Sequence, residues 1–250
     1  MIRSALLGTL ALALLAVPAQ AQSLEEVLDN YYEAIGGEDA WLDVNSMRAT
    51  GRTMLGPGVE APFVRTQKRP EMLRLEFTVQ GMTGIQAYDG ETAWMLMPFL
   101  GSTEPEQMPA EEAKNFTQQA DIEGVLINYE EKGHQVEYLG TEEVQGTEAH
   151  KLKVTLKDGD VDYYYLDSEY FIPIMVESTR EIRGNMMEIE TLLSDYKEVG
   201  GLMIPHSMEQ RAKGAPQSQT FLIDEVQLDV EVADSIFKMP ETETEEGQGG

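Results

Sequence analysis

Lys151-Leu152-Lys153-Val154-Thr155-Leu156-Lys157 has the clearest β-strand pattern in the chain, because its apolar residues alternate strictly with polar ones. Successive side chains of a β-strand point to opposite faces, so the three aliphatic residues face a core while the lysines face water. Asp158-Gly159 follows at once, and this dipeptide favours a tight hairpin turn into a second strand over residues 161–167. A hairpin with one dry and one wet face is typical of an antiparallel sheet.

The same alternation extends along most of the chain, with Gly, Pro and Asp turns between short runs. In residues 71–79, for example, every second residue from Leu73 to Val79 is apolar. The other predicted strands span 46–55, 59–69, 83–88, 91–98, 171–183, 186–199, 202–212 and 217–230. About a dozen strands with few helices predict a mainly β (α+β) fold, in which helices pack on one face of a single, strongly curved antiparallel sheet.

Two helical regions accompany these strands. Ser23 and Glu26 form the pattern of a capping box at the start of an amphipathic helix, which Gly36-Gly37 ends. In the middle of the chain, helices are predicted over 110–120, with a proline at its start, and over 122–131. Because an amphipathic helix must bury its apolar stripe, we expect the N-terminal and mid-chain helices to rest on the sheet.

The beginning of the chain has the composition of a secretory signal peptide. One positive charge at Arg3, an apolar run over 5–17 and the small-x-small sequence Ala19-Gln20-Ala21 predict cleavage after residue 21. The run is too short to span a bilayer, and Gln22 stands where a bacterial lipoprotein would have its lipidated cysteine. We therefore expect an exported, soluble, periplasmic protein with no integral membrane segment.

The rest of the chain is predicted to be one domain followed by a short tail. Residues 22–240 contain no linker and no internal repeat, which favours a single domain. Residues 241–250 are acidic and poor in apolar side chains, so we expect them to be disordered.

Composition excludes some classes of partner. The chain has 45 acidic against 18 basic residues and a formal net charge of −27. Binding to nucleic acid needs a basic face, so nucleic acid is a poor partner. The chain contains no cysteine, which excludes disulfides and a cysteine nucleophile.

No motif in the sequence supports catalysis, a metal or a cofactor. The three histidines stand apart from one another, and neither a nucleophile elbow nor a glycine-rich phosphate loop is present. We therefore predict that the protein is not an enzyme, since an envelope hydrolase built on paired acids has no supporting motif. Asp158, Asp160 and Asp162 have a spacing that could bind calcium, while a hairpin turn explains Asp158-Gly159 without an ion, and both interpretations stay open.

Several turn and strand motifs together resemble a known family. They are Ala34-Ile35-Gly36-Gly37 with Ala40-Trp41, Ala87-Tyr88-Asp89-Gly90-Glu91-Thr92-Ala93-Trp94, Pro98-Phe99, Tyr138-Leu139-Gly140, Tyr164-Tyr165-Leu166-Asp167 and Asp195-Tyr196-Lys197. These motifs, spread over nearly all of residues 22–240, resemble the periplasmic outer-membrane lipoprotein-sorting carriers of the LolA/LolB-like type. The resemblance implies an incomplete, half-open β-barrel closed by helices, whose apolar interior holds acyl chains.

The resemblance also implies partners and a role. A carrier of this kind binds the acyl chains of lipoproteins or other lipids, moves them between membranes without catalysis, and meets donor and acceptor proteins of the envelope transiently. It would serve lipoprotein sorting and outer-membrane biogenesis. The family has a functionally important basic residue on an early strand, for which Arg48 and Arg52 are candidates by position.

Candidate cavity residues follow from strand parity and from the abundance of methionine. Methionine is flexible and recurs at surfaces that accept ligands of varying shape, although it also fills irregular gaps in a core. The candidates for lipid binding are Leu28, Tyr31, Ile35, Leu73, Leu75, Phe77, Val79, Met95, Met97 and Phe99. The alternative hypothesis is a module that senses lipids or lipoproteins and acts through an envelope protein partner.

Overall fold

The structure of the protein is a computed structural model that describes residues 22–56, 59–182 and 184–241. The predicted signal peptide over 1–21, and all of the predicted disordered tail except its first residue, lie outside the described residues. No helix in the described ranges combines the length and the apolar character that crossing a membrane requires.

In the part of the chain that the structure describes, thirteen antiparallel strands form one open sheet, which confirms the predicted fold class. The strands are β1 (Ser46–Gly56), β2 (Val59–Lys68), β3 (Met72–Val79), β4 (Met82–Tyr88), β5 (Ala93–Leu96), β6 (Glu106–Gln107), β7 (Gln135–Val144), β8 (Thr147–Thr155), β9 (Val161–Asp167), β10 (Pro173–Ile182), β11 (Asn185–Val199), β12 (Leu202–Ala212) and β13 (Gln219–Leu228). Their order in the sheet is β6-β5-β4-β3-β2-β1-β13-β12-β11-β10-β9-β8-β7.

This order has a consequence for the segment between β6 and β7. The two strands are consecutive in the chain but lie at opposite edges of the sheet. Residues 108–134 must therefore cross the sheet from one edge to the other. The crossing segment contains α3 (Ala110–Thr117) and a 3-10 turn at Gln118–Ala120.

The N-terminal helices form as their end signals predict. In α1 (Leu24–Ala34), the Ser23 hydroxyl accepts from the Glu26 amide, and the Glu26 carboxylate accepts from the Ser23 amide. α2 (Glu38–Asp43) follows after a two-glycine turn. Gly36 has a φ of +103°, and a Cβ there would lie 2.2 Å from the carbonyl oxygen of Gly201, so no other residue fits this close approach.

The predicted helix over 122–131 is wrong. The backbone there forms turns, and Gly124 and Asn128 have φ values of +80° and +50°, in the left-handed region that interrupts a right-handed helix. Ile122, Leu126 and Ile127 are buried in the core, and this spacing imitates the apolar stripe of a helix. Strand β6 was not predicted, because two residues are too few to show alternation.

Both helical regions pack on the same face of the sheet, which we call the inner face. The main core joins Val27 and Leu28 of α1 to Leu152 and Val154 of β8, among other strands. A second cluster joins Phe116 of α3 to strands β3 and β5. The opposite, outer face is covered in part by residues 229–240, where the buried Trp94 donates from Nε1 to the carbonyl oxygen of Phe237 at 2.7 Å.

Candidate functional site

A cavity of about 950 Å³ lies between the inner face of β9–β12 and the crossing segment. This volume is near the top of the range of about 300–1,000 Å³ that is usual for small-molecule sites. The residues on the sheet side are Arg69, Pro70, Glu71, Tyr88, Leu156, Lys157, Asp158, Asp162, Tyr164, Val176, Ser178, Arg180, Ile182, Ile189, Thr191, Leu193 and Gln210. We call residues 110–134 of the crossing segment the cover. Its lining residues are Lys114, Asn115, Thr117, Gln118, Gln119, Asp121, Glu123, Val125, Glu131, Lys132 and His134.

The floor of the cavity mixes aliphatic and polar side chains because every second residue of each strand faces inward. On β10, Val176, Ser178, Arg180 and Ile182 line the cavity, and on β11 so do residues 189, 191 and 193. The site is therefore neither a purely apolar slot nor a purely polar cleft.

A buried ion pair lies within this floor. Arg180 donates to both carboxylate oxygens of Asp162, at 2.6 and 2.8 Å, and the two side chains are only 13% and 5% exposed. Burial by itself lowers the pKa of Arg180, but the hydrogen bonds and charge of Asp162 outweigh it and raise the pKa above its ordinary value. The guanidinium of Arg180 thus stays charged and is held by both oxygens of the Asp162 carboxylate.

Polar contacts hold one side of the cover to the turn between β8 and β9. Lys114 of α3 lies 3.2 Å from Asp158 and 2.8 Å from Asp160, and Gln118 donates to the same two carboxylates at 3.2 and 3.3 Å. The acidic turn that had the spacing of a calcium site thus uses two of its carboxylates on the cover and the third, Asp162, on an arginine. In the described ranges, no group of three or more acidic or histidine side chains is arranged to hold a metal ion.

Strand β2 holds the other side of the cover. Arg65 donates from Nη2 to the carbonyl oxygen of Gln119 at 2.9 Å, and Gln67 donates to that oxygen and to the carbonyl oxygen of Asp121. Arg65 has no carboxylate partner in the described ranges, and its buried Nε has no hydrogen-bond partner there. Burial lowers the pKa of Arg65 to about 10. Among the described residues, the hydrogen-bond acceptor that Arg65 meets is thus the backbone carbonyl oxygen of the cover.

Residues of α3 also contact the tip of the β10–β11 hairpin. Asn115 donates to the carbonyl oxygen of Glu181 at 3.0 Å, and the amide of Gly184 donates to Glu111 at 3.3 Å. Side chains and single backbone groups, not a strand ladder, thus make these attachments of the cover.

With this geometry established, comparison with known proteins places the chain. A family model described as an uncharacterized protein matches residues 79–242. The chain belongs to this family. A search of the curated proteins finds no match.

Solved structures define the fold more closely. A DUF1329 family protein from Desulfovibrio piger superposes with a TM-score of 0.60 at 10% identity, covering 86% of this chain and 97% of that one. A putative outer membrane lipoprotein-sorting protein domain from Vibrio parahaemolyticus superposes with a TM-score of 0.56 at 12% identity, covering 85% of this chain and 94% of that one. A LolA superfamily protein from Nitrosomonas europaea also superposes with a TM-score of 0.56, at 15% identity, covering 87% of this chain and 98% of that one. The fold is therefore the open barrel of the LolA-like proteins, and the resemblance stated from the motifs is confirmed.

The candidate residues predicted from the sequence lie on the inner face but outside the cavity. Leu28, Tyr31 and Ile35 are buried in the main core under α1. Leu73, Leu75 and Met95 belong to the cluster beneath α3. The rings of Phe77 and Phe99 lie 5.7 Å apart, Met97 is buried next to Gly84, and Val79 pairs with Met82 at the end of the β3–β4 hairpin. None of these ten residues is among those that line the 950 Å³ cavity.

The early-strand arginines lie on the outer face. Arg48 is exposed, and Arg52 forms an ion pair with Asp224 at 2.8 Å. The register pairs Ala49 with Arg65, so Arg65 shares the inner face with Ala49 while Arg48 and Arg52 point away. Alternation along β2 would have found Arg65, because it follows Ala61 and Phe63 at intervals of two.

Proposed function

We propose that this protein is a non-catalytic carrier, exported to the periplasm, that binds the acyl chains of lipoproteins or other lipids and moves them between membranes. The observation that carries the proposal is the cavity beneath a cover that is tied to the sheet mainly by side-chain contacts. Transient contacts with envelope donor and acceptor proteins would load and unload it.

Apolar surface next to the cavity supplies the place for acyl chains. Tyr88 lines the cavity and also packs with the cluster beneath α3, so the two regions adjoin. If α3 moves outward, Leu73, Leu75 and Met95 become continuous with the cavity, and the ring pair of Phe77 and Phe99 extends the same face. We therefore propose that Leu73, Leu75, Met95 and the Phe77–Phe99 pair line the site in its open state, and that the observed cavity is the site in its closed state.

Opening the cover is less costly than disturbing the sheet. α3 has eight residues, and its ion pair with the β8–β9 turn is partly exposed. Exposed ion pairs contribute about 0.2–1 kcal/mol and a typical hydrogen bond about 0.5–1.5 kcal/mol. A handful of such contacts amounts to about a few kcal/mol. Outward movement of α3 also uncovers Phe116 and its cluster, and an acyl chain that takes its place restores apolar burial at roughly 0.8 kcal/mol per buried methylene. Ile122, Leu126 and Ile127 of the cover stay in the main core.

The charged groups of the cavity support a binding role. Lys132 lies 2.7 Å from Asp121 and 3.1 Å from Glu123, and Arg69 lies 2.8 Å from Glu123. Groups that neutralise each other in this way hold the cover in place, whereas catalysis needs an acid or base that is poised to transfer a proton.

Titration with N-phenyl-1-naphthylamine, an uncharged fluorescent probe of apolar sites, tests the proposal. We expect saturable binding to the unchanged protein. Val176→Trp, which fills the floor, should weaken it about tenfold or more, because the probe and the indole compete for one volume. Thr179→Trp, on the outer face of the same strand, is the matched control and should bind normally. Absence of saturable binding by the unchanged protein would refute the proposed carrier function.

A further inference from the structure

A row of uncharged polar side chains crosses the cavity floor on four adjacent strands. The row consists of Tyr164 on β9, Ser178 on β10, Thr191 on β11 and Gln210 on β12. Thr191 is paired directly with Gln210, and its other neighbour, Val176, is paired with Tyr164. Aliphatic side chains such as Ile189 and Leu193 flank the row.

These polar groups have hydrogen-bonding capacity to spare. Gln210 Nε2 reaches Thr191 Oγ1 only at 3.5 Å, and in the described ranges the hydroxyls of Tyr164 and Ser178 have no hydrogen-bond partner. Burial, followed by the charge of Asp162, raises the pKa of Tyr164 far above its ordinary value, so its hydroxyl stays protonated and can donate. Tyr164, Ser178 and Thr191 are half-buried, whereas Gln210 is exposed at the edge of the row. Half-buried donors and acceptors favour a ligand that offers them complementary groups.

The charged groups of the cavity offer an anionic ligand no comparable binding partner. Arg69, Lys114, Lys132 and Arg180 each contact at least one carboxylate within 3.2 Å. Among the lining residues described, Lys157 is the one cation without a carboxylate partner, and it is exposed. The net charge of −27 adds a repulsive field. An anionic headgroup would therefore lose its hydration without gaining a counter-charge.

We propose that the cargo is an uncharged amphiphile, in which acyl chains are joined to ester, amide or hydroxyl groups, and that Tyr164, Ser178, Thr191 and Gln210 bind those neutral groups. This inference rests on the proposed carrier function and adds the class of lipid. Fatty-acid anions and anionic phospholipids are disfavoured, whereas acylglycerols and the acylated terminus of a lipoprotein share the favoured chemistry.

Displacement of bound N-phenyl-1-naphthylamine by two lipids of equal chain length provides the test. Monoolein and oleate differ in headgroup, which is an uncharged glycerol ester in one and a carboxylate in the other at pH 8. We expect monoolein, used below the concentration at which it aggregates, to displace the probe at a concentration at least tenfold lower than oleate does. Equal displacement, or preference for oleate, would overturn the inference while leaving the carrier function intact, whereas failure of the probe to bind at all would overturn both.

Variants of the polar row connect the preference to named groups. In Thr191→Val combined with Gln210→Leu, the ratio of monoolein affinity to probe affinity should fall about tenfold, since hydrogen bonds to the glycerol are lost. Ser178→Ala is a smaller change for use if the double variant does not fold, and it should lower the same ratio a few-fold. Thr179→Val, on the outer face, is the control. A ratio that stays constant in both inner-face variants would contradict the assignment of these residues.

Discussion

Arg65 on β2 donates a hydrogen bond to the carbonyl oxygen of Gln119, 2.9 Å away, and so fastens the cover of the cavity to the sheet. The two residues are 54 positions apart, and no carboxylate of the described ranges shares the bond. Because Arg65 is desolvated without an ionic partner, this contact holds the cover more weakly than a buried ion pair would.

Loss of the Arg65 contact should speed ligand entry. In Arg65→Met, the cover loses a hydrogen bond of about 1 kcal/mol, so the rate of probe association should rise about fivefold. The thermal midpoint should change little, because the methionine side chain removes a desolvated charge while keeping apolar contact. Stopped-flow fluorescence measures the rate. Arg52→Met, on the outer face, serves as the control, and an unchanged rate in Arg65→Met would show that this contact does not limit opening.

The contact between α3 and the β8–β9 turn should respond to salt. Lys114 is 44% exposed, so its attraction to Asp158 and Asp160 is screened when ionic strength rises. Lys114→Met should increase the rate of probe association by about 1.4- to fivefold in dilute buffer, in line with about 0.2–1 kcal/mol for an exposed pair. In about 1 M salt, where the screening length falls to about 3 Å, the association rates of Lys114→Met and of the unchanged protein should become equal. Lys213→Met breaks a comparable pair with Glu177 on the outer face and should leave association unchanged at every salt concentration.

The two inner-face helices should differ in what they stabilise. Leu28 of α1 is 5% exposed within the main core, so Leu28→Ala should lower the free energy of unfolding by about 2–5 kcal/mol. Phe116 of α3 is equally buried but lies under the cover, so Phe116→Ala should alter probe binding more than it alters unfolding. Chemical denaturation and probe titration on the same samples compare them. If Phe116→Ala lowers the free energy of unfolding as much as Leu28→Ala does, α3 belongs to the fixed core and is not a movable cover.

His150 should make stability depend on pH. Burial lowers the pKa of His150 below its ordinary value, although Glu148 and Asp167 oppose the shift, and its Nε2 has no hydrogen-bond partner in the described ranges. The ring stacks on Phe171 at 5.1 Å and contacts the Tyr138 hydroxyl at 3.0 Å. Since the folded pKa lies below the unfolded value of about 6.5, the unfolded chain binds the proton first as pH falls.

Stability from His150 is thus present above pH about 6.5 and is lost as the pH falls toward the folded pKa. The free energy of unfolding should fall more steeply between pH 7.5 and 5 in the unchanged protein than in His150→Asn. The carboxylates common to both proteins cancel in this comparison. If the free energy of unfolding depends on pH in the same way in both proteins, the prediction is contradicted.

Local patterns predicted the strands well because alternation is a local property. The stretch 151–157 and its Asp158-Gly159 turn became β8, the turn and β9 as expected. The same local reasoning failed over 122–131, where buried apolar residues sit at helical spacing on a backbone of turns.

The location of the cavity could not be predicted, because it depends on long-range order. Only the positions of β6 and β7 at opposite edges show that the cover crosses the inner face and leaves β9–β12 partly open beneath it. Strand parity placed Leu73 and Leu75 on the inner face, but it contains no information about which part of that face α3 fills. Arg65 was not predicted, although its spacing from Ala61 and Phe63 is a local signal, and the β1–β2 register places it on the opposite face from Arg48 and Arg52.

The most direct test of lipid carriage is native mass spectrometry of the protein purified from periplasm without detergent, followed by extraction and identification of what is bound. We expect a fraction of molecules to carry one acylated, uncharged ligand, and Val176→Trp purified in parallel to carry much less. Protein that is free of lipid in every preparation, and that takes up neither monoolein nor N-phenyl-1-naphthylamine afterwards, would contradict lipid carriage.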